Sequence, residues 1–478
     1  MKYNKNEVIK GFIWSGLDKL GVVVLQLALE LILARLLLPK DYGIVGAVLI
    51  FVSFAITLSE GGFSNALIQK KNRTELDYST VFIFNLIVGV LIYFILFFSA
   101  PFIEIFFRIE GLTIILRVIT VGIIFNASIV VHKVRLSLLM DFKSQAKYSL
   151  ISVLLSGIIG VFLAYKGFGA WALVFQSVSF AFFNALFLWL GYKWFPKMDF
   201  SFQSLKELFG FGSKILLSSI IQSIYFNSYP VLIGRVLPTK DLGIYSKTNQ
   251  FTQMPASVLT NVIQRVLFPF FSSYQNDDEK IFSMNQIYTK ICILLFFPLF
   301  FILAIIAQPF ILILFSQKWA EMINLFAILC ITYSFYPLIV NNMMLFQVKN
   351  KPALFLKIEM ITKITGVIIL FVTIHKGIFA IGIGLFLQQI LQFFITTVIL
   401  QLVLRKNIFE QIKIFLPLFV FSILFFFVGR YFLSTLSISL LMKLVIGIII
   451  GLLFYGNIYF TFYKKDIVLI IDKIKKGT

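Results

Sequence analysis

The sequence predicts an all-α polytopic membrane protein of about 14 transmembrane helices, built as two related, parallel halves around a central cavity. Three observations carry this: an apolar composition, a regular alternation of cationic breaks, and one hairpin motif that occurs twice. Of 478 residues, 60% are hydrophobic, 58 are Phe and only 13% are charged, with a mean hydropathy of +0.97. That much apolar surface exceeds what a globular core can bury. The net charge of +21 does not point to nucleic acid, because the cations sit in short breaks and form no stripe or basic domain.

Apolar runs long enough to span a bilayer recur along the chain. The first seven cover Gly11 to Leu38, Gly43 to Ile68, Ser79 to Ile103, Leu112 to Val131, Tyr148 to Tyr165, Ala170 to Gly191 and Leu208 to Leu237. The second seven cover Leu242 to Ser272, Tyr288 to Phe315, Ala320 to Phe346, Ala353 to Ile374, Ile378 to Leu404, Ile414 to Phe432 and Ile438 to Tyr463. The first run lacks a small-residue cleavage site and reads as an uncleaved helix, not a signal peptide. The longest polar breaks, around Asp141 to Lys147, Lys193 to Lys206 and Gln275 to Lys280, are too short for a catalytic domain.

Alternate breaks concentrate the cations. One set holds Lys70, Lys71 and Arg73, then Lys133, Arg135, Lys143 and Lys147, then Lys193, Lys197 and Lys206, and later Lys349, Lys351, Arg405, Lys406 and Lys413. The intervening breaks carry little beyond Lys40, Arg108, Lys166, Lys240, Lys318, Lys376 and Arg430. The positive-inside rule then predicts both termini, including the basic tail from Lys464, to be cytoplasmic. The regular alternation favours an even number of spans.

The repeated hairpin reads Leu33-Ala34-Arg35-Leu36-Leu37-Leu38-Pro39-Lys40-Asp41-Tyr42-Gly43-Ile44 and Ile233-Gly234-Arg235-Val236-Leu237-Pro238-Thr239-Lys240-Asp241-Leu242-Gly243-Ile244. Such self-similarity marks two related halves. Six spans separate equivalent points, so equivalent helices face the same way and the halves are related by an axis along the membrane normal. Arg35 and Arg235 are helix-end cations that complement the helix dipole or gate the outer side.

Polar residues at helical spacing are the candidates for a cavity lining, since a polar side chain facing lipid is costly. In helix two, Ser53, Thr57, Glu60 and Ser64 share one face. In helix eight, Lys247, Gln250, Gln253, Ser257, Asn261 and Gln264 do the same, and the two sets match in register with the hairpin repeat. Helix one adds Lys19, Gln26 and Glu30, and helix seven adds Ser219, Gln222 and Tyr229. Each neutral residue could equally stitch helices together. The charges say more: an isolated charge at mid-bilayer costs at least about 2.5–3.5 kcal/mol, which points to Glu60, Lys247 and Arg117. Arg265, Lys290 and Lys363 fall within snorkelling reach of the inner surface. Substrate contact is thus assigned to Lys19, Gln26, Glu60, Arg117, Lys247, Gln250, Asn261 and Gln264, with Glu30 and Glu60 as candidates for ion or proton coupling.

Several chemistries are excluded or disfavoured. There is no Gly-rich loop ending in Gly-Lys-Ser/Thr, which argues against an ATP-driven pump. Cys292 and Cys330 lie in separate apolar helices with no ligand partners at metal spacing and read as packed core thiols. His132 and His375 fall at opposite membrane edges and read as interfacial. No catalytic residue, metal or cofactor is expected.

The block from Leu33 to Gly43, followed by Glu60-Gly61-Gly62-Phe63-Ser64-Asn65-Ala66-Leu67-Ile68-Gln69-Lys70, resembles the N-terminal region of Wzx-type polysaccharide flippases. These belong to the multidrug/oligosaccharidyl-lipid/polysaccharide exporter superfamily. The Glu60 to Ala66 segment is also similar to one in lipid II flippases. The resemblance is specific over the first seventy-five residues or so, weaker around Gly212 to Ser272, and beyond that one of helix count. It implies two six-helix lobes, at 1–195 and 196–406, with two additional C-terminal helices and a basic tail at 407–478. It further implies a multi-pass protein of the bacterial inner membrane exporting an undecaprenyl-diphosphate-linked glycan by alternating access. Its partners would be that glycan, membrane lipids, and a polysaccharide polymerase and glycosyltransferases.

The residues suit that substrate: cations in a poorly solvated cavity hold a diphosphate strongly, and helices two and eight supply amides and hydroxyls for sugars. One departure matters. Lipid II flippases carry a closely spaced arginine pair in the first helix, whereas Gly21 to Leu29 here has only Gln26 as a polar residue. That favours an O-antigen, capsular or exopolysaccharide unit over peptidoglycan. The alternative is a cation-coupled multidrug exporter of the same superfamily, which fits Glu30, Glu60 and Tyr229 but leaves Lys247 and Arg117 unexplained. A membrane-bound glycosyltransferase is disfavoured, because no outer loop is long enough to carry its acidic residues.

Overall fold

The computed structural model describes residues 5–463 except 198 and 408, with side chains described from residue 21 onward except at 198, 211, 214, 266 and 408. Lys19 as a side chain and the basic tail lie outside the described residues. All regular structure among the described residues is helical, as the composition predicts. The chain divides into two compact units, Met1–Gly243 and Ile244–Thr478.

The first unit holds α1 (Lys5–Leu36), α2 (Pro39–Glu60), α3 (Phe63–Gln69), α4 (Glu75–Phe107), α5 (Leu112–Ile119), α6 (Val121–Ala127) and α7 (Val130–Leu138). It continues with α8 (Phe142–Tyr165), α9 (Ala170–Gly191) and α10 (Phe202–Val236). The unit boundary falls inside α11 (Thr239–Ser273), followed by α12 (Asp278–Ile305), α13 (Ala307–Leu314), α14 (Met322–Tyr333) and α15 (Tyr336–Val348). The chain closes with α16 (Pro352–Thr373), α17 (Ile378–Val403), α18 (Phe409–Thr435) and α19 (Leu440–Ile458).

Eleven stretches among the described residues are long and apolar enough to cross a membrane. Three expected spans lie outside that set. The first begins among residues whose side chains are not described, α11 carries Lys240, Asp241, Lys247 and Arg265, and α16 carries Lys357, Glu359 and Lys363. Each is nonetheless a helix of spanning length, because hydrogen bonding within the segment does not depend on which side chains face out.

Four spans expected to be continuous are broken, each for a local reason. The second breaks at Gly61-Gly62, where both residues take positive φ, 57° and 72°, a conformation that glycine adopts without a Cβ penalty. The fourth is segmented near Thr120 and Ser128, whose hydroxyls bond back to the carbonyls of Leu116 (2.7 Å) and Phe125 (2.7 Å) and so compete with the helical ladder. The ninth breaks at Ile306, three residues before the buried Pro309. The tenth breaks before Pro337, in the first turn of α15. Proline removes a donor and its ring collides with the preceding turn.

Within the first unit the two copies of the hairpin meet reciprocally. A Cβ at Gly43 would collide with the carbonyl of Thr239, and a Cβ at Gly243 would collide with the carbonyl of Pro39. Positions 43 and 243 are equivalent in the repeat, so the contact repeats itself about a local two-fold axis. Only glycine permits backbones this close. The second unit is packed on aromatic rings: Phe297, Phe335, Phe393, Phe415 and Phe419 form a continuous cluster with centroid separations of 4.9–6.1 Å among neighbouring pairs.

Candidate functional site

The polar face of α2 opens onto a cavity of about 600 Å³ within the first unit. From α2 and α3 it takes Ser53, Thr57, Glu60, Ser64 and Asn65; from α10 it takes Ser219, Gln222, Ser223 and Asn227, with Ile56, Ile215, Leu216 and Phe226 as apolar wall. Gly62 lines it as well, and its backbone lies against that of Gly212 on α10, where a side chain would collide with the Gly212 carbonyl. The helix break therefore does two things: it brings α10 against α3 and it leaves Glu60 at the end of α2 facing open space.

Hydrogen bonding fixes the lining. Ser53 Oγ donates to the Ile50 carbonyl (2.9 Å) and Thr57 Oγ1 to the Ser53 carbonyl (2.9 Å), which leaves their lone pairs toward the cavity. Asn227 Nδ2 donates to the Ser223 carbonyl (2.8 Å) and reaches Ser53 Oγ (3.3 Å), tying α10 to α2. Among the described lining residues Glu60 alone is charged, and the field of Lys133 acts on it. The chemistry on offer is hydroxyl, carboxamide and one carboxylate, which matches groups that donate and accept hydrogen bonds at once.

The other nominated residues go elsewhere. Arg117 donates from Nε to the Phe97 carbonyl (3.2 Å) and lies over the Phe97 ring, 4.2 Å from its centroid. Gln26 is exposed, and Glu30 interacts with the buried Tyr42. Arg235 donates to the Phe106 carbonyl (2.7 Å) in the last turn of α10, and Arg35 occupies the last turn of α1. In the second unit Lys247 is buried at 8% exposure and donates to Gln250 Oε1 (3.0 Å). Gln264 Nε2 donates to the Val340 carbonyl (3.2 Å), while Asn261 is exposed. Tyr229 is buried and does not line the cavity.

Sequence reasoning named Ser53, Thr57, Glu60, Ser64, Ser219 and Gln222 and missed Ser223, Asn227 and Asn65. The signal for the first two was present: Ser219, Gln222, Ser223, Phe226 and Asn227 recur at helical spacing on one face of α10. His132, expected at an interface, is fully buried, with its ring centroid 4.6 Å from Trp189 and 5.2 Å from Trp194. It lies one turn before Arg135 on α7, with its side chain packed into the protein. Cys292 and Cys330 are buried free thiols.

An ion-pair cluster closes the edge of this unit that bears the cation-rich breaks. Thr74 caps α4 by accepting from the Asp77 backbone (3.3 Å), while Asp77 Oδ2 accepts from the Thr74 backbone (2.8 Å). Lys70 pairs with Asp77 (2.9 Å) and with Glu207 of α10 (3.1 Å). Arg135 grips both oxygens of Glu75 at 2.8 and 2.7 Å, and Trp194 Nε1 donates to the same carboxylate (2.9 Å). Partial burial disfavours the charged Lys70 amine, but the hydrogen bonds from it to Asp77 and Glu207 outweigh that and raise its pKa above 10.5.

A model of the polysaccharide biosynthesis protein family matches residues 32–324. Over 317 residues the chain is 30% identical to the succinoglycan biosynthesis transport protein ExoT of Rhizobium meliloti (strain 1021), covering 66% of this chain and 64% of that one. The matched region thus spans a little under two thirds of that relative. It is 25% identical over 329 residues to the teichuronic acid biosynthesis protein TuaB of Bacillus subtilis (strain 168), covering 68% of each. Among solved structures the lipid II flippase MurJ in an inward closed conformation is similar in fold, with a TM-score of 0.71 and 15% identity over 94% of this chain and 99% of that chain.

Proposed function

Because the chain belongs to the polysaccharide biosynthesis protein family, by its match over residues 32–324, we propose that it is a flippase. Its substrate is an undecaprenyl-diphosphate-linked oligosaccharide unit of an O-antigen, capsular or exopolysaccharide, moved across the bacterial inner membrane by alternating access. The observation that carries this reading is the cavity between α2, α3 and α10. Its hydroxyls and carboxamides suit sugar hydroxyls, each of which donates and accepts. A transport role without catalysis is supported by the names of ExoT, a transport protein, and MurJ, a flippase.

In this reading Ser219, Gln222, Asn227 and Glu60 contact the sugars. Glu60 does not hold the diphosphate, since like charges repel in a poorly solvated space. Lys247, Gln250, Asn261 and Gln264 remain candidates on α11, with Lys247 the cation for the diphosphate. Glu30 and Glu60 remain candidates for coupling to an ion or proton. Both termini are placed in the cytoplasm, where the cation-rich breaks would also lie, and polymerase and glycosyltransferases are the proposed neighbours.

Deleting the gene should leave the lipid-linked oligosaccharide accumulated on the cytoplasmic side and remove the surface glycan. Unchanged surface polysaccharide under conditions where it is made sinks the proposal. Reporter fusions at either terminus test the orientation, and an external signal from either overturns it. Lys247→Gln should abolish complementation while the protein still inserts; full export would take Lys247 out of the substrate path.

A further inference from the structure

The second unit contains a groove of about 540 Å³ formed by α14, α17 and α18, and nothing in the transport reading uses it. Its walls are apolar, with Ile328, Phe379, Phe386 and Phe426 among them. Arg430 stands at one end of the groove, with Asn324, Tyr431 and Ser434. Arg430 lies about 8 Å before the end of α18, at a rise of about 1.5 Å per residue, on the end away from Lys406 and Lys413.

The arginine is held in an unusual way for a charge on a spanning helix. Its Nη2 donates to Asn324 Oδ1, and its guanidinium sits over the Phe426 ring, 5.8 Å from the centroid. No carboxylate pairs with it among the described residues, in contrast to Arg135, which holds both oxygens of Glu75. A snorkelling arginine extends its head away from the apolar wall toward water. Arg430 instead turns across to α14 and lines the groove. Arg430 lines an otherwise largely apolar groove beside Asn324, Tyr431 and Ser434, and the group that best complements a guanidinium there is a planar or tetrahedral oxyanion taken bidentately.

We propose that this groove binds one anionic phospholipid from the surrounding leaflet, its phosphodiester on Arg430 and one acyl chain along Phe379, Phe386 and Phe426. The volume suits a single acyl chain, whereas an undecaprenyl chain would overrun it. The groove is therefore a lipid site separate from the sugar cavity, and the inference does not depend on the flippase reading.

The test is native mass spectrometry of the full-length protein in detergent, titrated separately with phosphatidylglycerol, phosphatidylethanolamine and undecaprenyl phosphate. The wild type should retain phosphatidylglycerol about tenfold better than phosphatidylethanolamine. Arg430→Gln should erase that preference, and Arg430→Lys should keep part of it. Asn324→Asp, at an exposed position, places a carboxylate against the intact arginine and should erase the preference without removing the cation. If Arg430→Gln does not fold, the aspartate variant decides alone. A preference that survives in a folded Arg430→Gln or Asn324→Asp protein overturns the site. So does preferential retention of undecaprenyl phosphate, which would assign the groove to the substrate's carrier lipid.

Discussion

The two units contain similar polar residues and use them in opposite ways. In the first, the serines and amides of α2 and α10 line open space, and their hydrogen bonds run mostly to carbonyls one turn away or to each other. In the second, a comparable set is sealed inside the protein. Asn341 Nδ2 donates to Asn285 Oδ1 (2.6 Å), Asn342 Nδ2 to Thr397 Oγ1 (3.1 Å), and Gln411 Nε2 to Thr289 Oγ1 (3.3 Å). Gln401 Nε2 in turn donates to Gln411 Oε1 (3.4 Å). Asn285, Asn341, Asn342, Thr289, Gln401 and Gln411 are each at most 1% exposed. The lesson is that an amide in a spanning helix has two roles, and only its partners across the helix boundary distinguish them.

This contrast can be broken by mutation. The largest effect is expected at Gln411→Ala, which strands Thr289, Asn342 and Gln401 inside the bundle. Each group left without a partner costs about 1–3 kcal/mol, so detergent unfolding temperature and membrane yield should fall together. A variant that unfolds like the wild type would mean that the network is not structural. Next comes Glu60→Gln, which removes the one charge of the described lining. A hydrogen bond to a charged group is worth about 1.5–3 kcal/mol, so transport should fall about tenfold or more while unfolding temperature stays put. Equal losses in transport and stability would place Glu60 with the structural amides.

The single change Ser219→Ala is milder. A neutral hydrogen bond contributes about 0.5–1.5 kcal/mol, which predicts a loss of several-fold in glycan export, with stability shifted by no more than about 0.5 kcal/mol. The smallest effect belongs to the half-exposed end of the edge cluster: Glu207→Gln should change stability by less than about 1 kcal/mol, with the difference shrinking in high salt. The sign of the pH dependence follows from Lys70. Its pKa is raised on folding, so its contribution is complete below 10.5 and is lost only as pH climbs past the raised value. A loss of that contribution near neutral pH would contradict the pairing.

Much of the cavity was legible in the sequence, because its walls are single helical faces. Ser53, Thr57, Glu60 and Ser64 announce themselves by spacing alone, and so do Ser219 and Gln222. What could not be read was where a lone charge would turn. Arg117 has the same local signature as a substrate cation, yet its guanidinium is spent on the carbonyl and ring of Phe97, a residue on another helix. Arg430 looked like an ordinary charge in a break and instead lines a groove with Asn324. The helix breaks could not be read from proline alone. Pro309 and Pro337 sit just past breaks, yet Pro101, Pro230, Pro255, Pro269, Pro298 and Pro417 lie inside continuous helices, and the break near Thr120 has side chains bonding back to their own turn.

By itself the sequence determined that the protein is helical, that it lies in a membrane, and that Arg35 and Arg235 mark equivalent points of a repeat. These properties follow from hydropathy, helical period and self-similarity, which act over one or two turns or compare the chain with itself. Only the tertiary structure decided that Gly43 and Gly243 each meet the other copy's carbonyl, and that the buried amide of Gln411 bonds to Thr289, Asn342 and Gln401. It also decided that the amides of α10 are left facing a cavity. The reason is that backbone hydrogen bonding in a helix is completed locally, whereas the partner of a side chain in an apolar medium is set by whichever distant helix packs against it.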